Sequence, residues 1–111
     1  MALQLRGMLA ALATLFRGGE MHPEPVIPTD EQMDRLSTVE LAALLCGDRS
    51  RWFAGAIRHH EQQLGRATML AICQEVRATM QRGQTHRPHV LMSVLIRRAE
   101  IDASELGIFQ V

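Results

Sequence analysis

His59-His60-Glu61 is the densest run of ligand and acid–base residue types in the chain. Neighbouring helical residues point about 100° apart, so two adjacent histidines do not close on one ion. Zinc held on a helix uses histidines four residues apart, and no such pair occurs. His60 falls on the apolar side with Phe53, Ile57 and Leu64, which predicts a half-buried packing role; His59 falls with the arginines. His86 and His89 stand three apart with Pro88 between them at a helix start. Cys46 and Cys73 would join them only through tertiary contact, and no pair has the tight spacing of a zinc module. No metal and no cofactor are expected. Ser37, Ser50, Ser93 and Ser104 lie in no nucleophile elbow, and no glycine-rich phosphate loop occurs. Glu61 or Glu75 beside a histidine is a pairing that any helical protein offers. The expectation is a non-enzymatic protein with no small-molecule substrate.

Nucleic-acid chemistry has a better carrier. Val39 to Ala56 loosely resembles a helix-turn-helix: a helix, a turn at Gly47, and a second helix opening with Arg49-Ser50-Arg51. Ala43 stands four before the glycine and Phe53 six after it, where such motifs place a small and an apolar residue. Asp48 departs from the pattern, whose residue after the glycine is usually apolar. Arg49, Arg51, Arg58 and Arg66 are the candidate phosphate- or base-contacting residues. Arg51 and Arg58 face away from the Phe53 stripe, as groove-reading side chains must. A second apolar stripe further along claims the same direction. Zero formal net charge removes the general phosphate attraction that most such domains use. Stacking platforms for single strands are nearly absent, with aromatics at 4%. A DNA-binding regulator using segment 39–64 is therefore the alternative function.

The preferred function is binding to protein, as an adaptor, inhibitor or regulator. Leu5, Met8, Leu9, Leu12, Leu15 and Phe16 recur at helical spacing within residues 2–17. Gly18-Gly19 ends that helix, and the run to Pro28 carries three prolines in six positions, which forces extended backbone. The result is an amphipathic arm on a strap, with Leu5, Leu9, Leu12 and Phe16 as the interaction residues. Seven methionines suit either an adaptable contact surface or core filling. Helix-in-groove docking on a second copy would give a homodimer, the simplest symmetric assembly. Arg17-Gly18-Gly19-Glu20 is a poor signal-peptidase site, and two arginines are too few for a membrane-surface helix. No membrane partner is expected.

These residues must be positioned by helices. The chain has 111 residues, 12.4 kDa and 47% hydrophobic residues, enough for one self-sufficient core. All twelve basic residues are arginine, and lysine, asparagine and tyrosine are absent. From Glu20 to Asp48 seven acids face one arginine; from Arg49 to Arg98 nine arginines face two acids. Two segments neutralising each other, or a dipolar molecule with a basic face, both fit that layout. Thr29–Gln32 and Ser37–Glu40 match the capping box and predict helices over 30–36 and 37–46, the second ended by Gly47. Residues 49–82 contain no proline, and their apolar stripe turns by about 120° between Phe53–Ile57–Leu64 and Met69–Met80. One long helix between two neighbours is preferred over a break at Gly65. Val90–Ile96 predicts a central helix over 87–100 with Pro88 in its first turn, and Asp102–Glu105 a last separate turn. The fold class is all-α: a compact single-domain bundle of five or six helices, with an arm (1–17), a Gly/Pro linker (18–28) and a helical domain (29–111). Cys46 and Cys73 read as small core residues in a reducing, cytoplasmic setting.

Overall fold

The computed structural model describes residues 24–106, and every regular element among them is α-helical. Five helices follow in chain order: α1 (Asp30–Arg35), α2 (Thr38–Cys46), α3 (Arg51–Leu64), α4 (Arg66–Gln81) and α5 (Pro88–Glu105). The arm and the apolar end at 108–111 lie outside the described residues.

Both expected capping boxes form. Thr29 Oγ1 accepts from the Gln32 amide while Gln32 Oε1 accepts from the Thr29 amide. Ser37 and Glu40 do the same at the head of α2. The Ser37 amide, donating to the exposed Glu40 carboxylate, holds that carboxyl below its usual value. Gly47 ends α2 with φ 63° and ψ 39°, a left-handed geometry that suits glycine.

The helix expected over 49–82 is two helices. Gly65 breaks it at φ 90° and ψ 156°, a region only glycine enters freely. The break is what lets both stripes be buried. Ile57, with Phe53 and Leu64 around it, meets the core from α3, while Met69, Ile72, Cys73 and Val76 meet it from α4. The paired glycines give a test of sign. Gly55 and Gly65 both have open space where a Cβ would stand. Gly55 lies inside α3, so Gly55→Ala should raise stability by roughly 1 kcal/mol. Gly65→Ala should lower it by about 1–3 kcal/mol through backbone strain alone. Urea denaturation of the two variants checks this, and equal signs would contradict the assigned backbone.

The helix expected over 87–100 is one of four, α2 to α5, that each pack against the other three. The most deeply buried of them is α2, which hides Thr38, Leu41, Ala42, Leu45 and Cys46. α5 is apolar on two sides but buries only one, through Met92, Ile96 and Ala103. Val90, Val94 and Ile101 remain exposed on the other. α5 also runs without interruption to Glu105, so Asp102–Glu105 is its last turn and not a separate one.

The end of the strap is docked. The Val26 amide donates to the Leu44 carbonyl at 2.8 Å, and Pro28 is fully buried. Arg77 Nε donates to the Pro28 carbonyl at 2.8 Å and Arg77 Nη2 to Asp30 Oδ1 at 2.6 Å. That ion pair alone, among the described residues, joins the acidic and basic segments; the Glu31–Arg35 pair is internal to the first, the Glu75–Arg82 pair to the second, and Arg97 and His60 of the second face Glu100 just beyond it. Met69 and Met92 are core residues, and Met33 and Met80 pack partly buried against that core. The described methionines therefore fill the interior, and Met92 also lines a groove between α3 and α5. No described helix is long and apolar enough to cross a membrane.

Candidate functional site

Where α3 and α5 diverge they leave a groove of about 780 Å³. The turn that fixes one wall is built from its own side chains. Asp48 N–H donates to the Ala43 carbonyl, closing the end of α2. Asp48 Oδ1 accepts from the Ser50 amide at 2.9 Å, and Ser50 Oγ accepts from the Phe53 amide at 3.1 Å to cap α3. The aspartate that departed from the helix-turn-helix pattern is thus the residue that orders the turn.

The groove has an apolar floor and a mixed rim. Cys46, Ile57, Met92 and Ile96 lie deepest, with Phe53 beside them. Glu24, Pro25, Asp48, His86 and His89 stand around the opening. Trp52 stands on the rim with 79% of its surface exposed. A large amphipathic ring left in water beside an apolar floor is the usual form of a protein-binding anchor.

His60 reaches the groove from α3. Its ring is half buried, as expected, and it makes an edge contact with the exposed His59 at 5.9 Å between centroids. Its Nδ1 is buried with no hydrogen-bond partner, 3.8 Å from Glu100 Oε2. Three histidines and a cysteine therefore meet at one groove. Among the described residues, however, no three His, Cys, Asp or Glu side chains are grouped to hold a metal ion.

The groups with nucleophilic potential are occupied or silenced. Burial, with Cys73 and Asp48 nearby, pushes the Cys46 thiol up to about 12. It therefore stays protonated, and a thiol is not the reactive form. Its Sγ–H donates to Met92 Sδ at 3.7 Å. Ser93 Oγ donates to the His89 carbonyl at 3.0 Å. Glu61 accepts from the buried Thr38 hydroxyl, which ties α3 to the first turn of α2.

The arginines singled out in the sequence are all exposed. Arg51 and Arg58 share one stripe of α3 with Gly55 and Gln62, while Arg49 lies in the preceding turn. Arg66 opens α4 beyond the Gly65 break, so it does not extend the α3 stripe. None of the four makes an ion pair among the described residues. Leu5, Leu9, Leu12 and Phe16 lie outside the described residues. Trp52 and the groove histidines were missed as a site. The signal for Trp52 was present, since the only tryptophan falls about 100° off the Phe53–Ile57 stripe. Comparison with known proteins finds no family model, no curated protein and no solved structure that matches the chain.

Proposed function

We propose that the protein is a non-enzymatic helical interaction domain, an adaptor, inhibitor or regulator, whose α3–α5 groove receives a helix of a protein partner. The observation that carries this reading is Trp52, 79% exposed on the rim of a groove floored by Ile57, Met92 and Ile96. Helix-in-groove recognition needs an apolar trough and a few large anchors.

A second reading is favoured by one observation. Arg51 and Arg58 lie exposed on one stripe of α3 behind an ordered turn, with no carboxylate paired to them among the described residues. That is the layout a DNA-reading helix requires.

Affinity capture from the native host with duplex competitor present, followed by affinity measurement on the captured protein, separates the two. Trp52→Ala should weaken partner binding by about 30-fold or more, the scale of a hot-spot residue. The Arg51→Ala, Arg58→Ala double variant should leave it unchanged. Retention on duplex DNA with a log–log salt slope near −0.9 per phosphate, flattened by the arginine variant and indifferent to Trp52→Ala, would transfer the function to the second reading.

A further inference from the structure

The chain carries a segment of its own that fits the groove. We propose that residues 2–17 dock in the α3–α5 groove intramolecularly, as an autoinhibitory helix that a partner helix must displace. The inference rests on reading the groove as a helix-binding site.

Position is the first argument. Glu24 and Pro25 themselves line the groove, and the next residues are pinned. The Val26 amide is bonded to Leu44, Pro28 is buried, and Arg77 holds the Pro28 carbonyl. The segment before Glu24 is therefore delivered to the rim from a fixed point.

Reach is the second. Residues 18–23 can span about 20 Å when extended, and Gly18-Gly19 permits a reversal of direction. A helix over 2–17 is about 24 Å long, against about 21 Å for the α3 wall and about 27 Å for α5.

Chemistry is the third. Leu5, Leu9, Leu12 and Phe16 stand at i, i+4, i+7 and i+11, the anchor spacing of a groove-bound helix. The floor they would meet is aliphatic and sulfur-lined through Cys46, Ile57, Met92 and Ile96. Tethering decides between this copy of the segment and another. A short linker gives an effective concentration on the order of millimolar, so the chain's own arm prevails over a second copy at any lower protein concentration.

Trp52 is the only tryptophan and sits on the rim, so the full-length protein reports on the groove without labelling. With the arm docked, its emission should be blue-shifted and shielded from acrylamide. A Leu9→Glu, Leu12→Glu double variant should shift the emission to that of a water-exposed indole. A peptide of residues 1–19 added to that variant should restore the wild-type spectrum saturably. His89→Glu with Ser93→Glu, at exposed groove positions, should release the arm in the same way while leaving the core intact. None of these signals should change on wide dilution. Partner affinity should rise in the Leu9→Glu, Leu12→Glu variant by about tenfold if the arm occupies the groove about nine-tenths of the time. A wild-type spectrum already matching both variants, with no response to the peptide, would overturn the proposal. Reversal on dilution would also overturn it, assigning the groove to the arm of a second copy and hence to a homodimer. Neither result touches the groove reading itself, which fails only if Trp52→Ala leaves partner binding unchanged.

Discussion

Raising the pH from about 8 to about 11 should lower the stability of the folded protein steeply, through two thiols. Burial pushes both Cys46 and Cys73 up to about 12, from an ordinary value of 9.0. Cys73 and Asp48 add to the shift of Cys46, and Glu61 adds to that of Cys73. An unfolded chain releases these protons near pH 9, while the folded chain keeps them to about 12. The stability they carry is therefore complete below pH 9 and declines as pH rises from there toward 12. Each thiol contributes a slope of about 1.4 kcal/mol per pH unit. Two thiols over two units give a loss of about 5 kcal/mol, comparable to the whole stability of a small domain, about 5–15 kcal/mol.

Composition makes this measurement clean. With no lysine and no tyrosine in the chain, the cysteines are the only side chains that titrate across that window, since arginine stays charged. Urea midpoints should fall steeply above pH 9 in the wild type and stay nearly flat in a Cys46→Ala, Cys73→Ala variant. An unchanged midpoint in the wild type, or an equal fall in the variant, would refute the assignment. The same burial predicts that thiol reagents at neutral pH modify neither cysteine until the protein unfolds, although Cys46 lines the groove.

Truncating the buried side of α2 should be the most damaging change to the core. Leu41 and Leu45 are both 0% exposed and lie where α2 meets the other helices. Either leucine replaced by alanine loses the transfer energy of the side chain and leaves a cavity, at a cost of about 2–5 kcal/mol. Both together approach or exceed the stability of a domain this size, so the double variant should lack a cooperative thermal transition. Val94 provides the contrast: it is 56% exposed on the outer side of α5, so Val94→Ala should change stability by no more than about 0.5 kcal/mol. Comparable losses at Leu41 and Val94 would contradict the assigned burial of these two positions.

The α3–α5 groove was only partly legible in the sequence. Its pieces were visible singly: a half-buried His60, His86 and His89 at a helix start, a cysteine with a core pattern. Their convergence was not, because 26 positions separate His60 from His86 and nothing local sets the angle between α3 and α5. The arginines differ: Arg51 and Arg58 share a stripe of α3, and Gly65 ends that helix before Arg66.

What the sequence determined by itself is whatever depends on neighbours within one or two turns. Thr29–Gln32 and Ser37–Glu40 specify two helix starts because a hydroxyl and a side chain three residues on satisfy each other's amides. Gly47 specifies a helix end because it accepts left-handed backbone at little cost. The 3.6-residue recurrence of Phe53–Ile57–Leu64 and of Met69–Ile72–Cys73–Val76 specifies which faces are buried. The tertiary structure decided the rest. It broke the chain at Gly65, because a straight helix cannot turn two stripes toward one core. It buried α2 most deeply and left Val90, Val94 and Ile101 in water, because an apolar residue in a sequence carries no record of which neighbour, if any, will cover it. It brought Trp52, His60, His86 and His89 around one groove, because helix packing sums weak contacts between residues far apart in the chain, and that sum exists only once α2 to α5 are packed together.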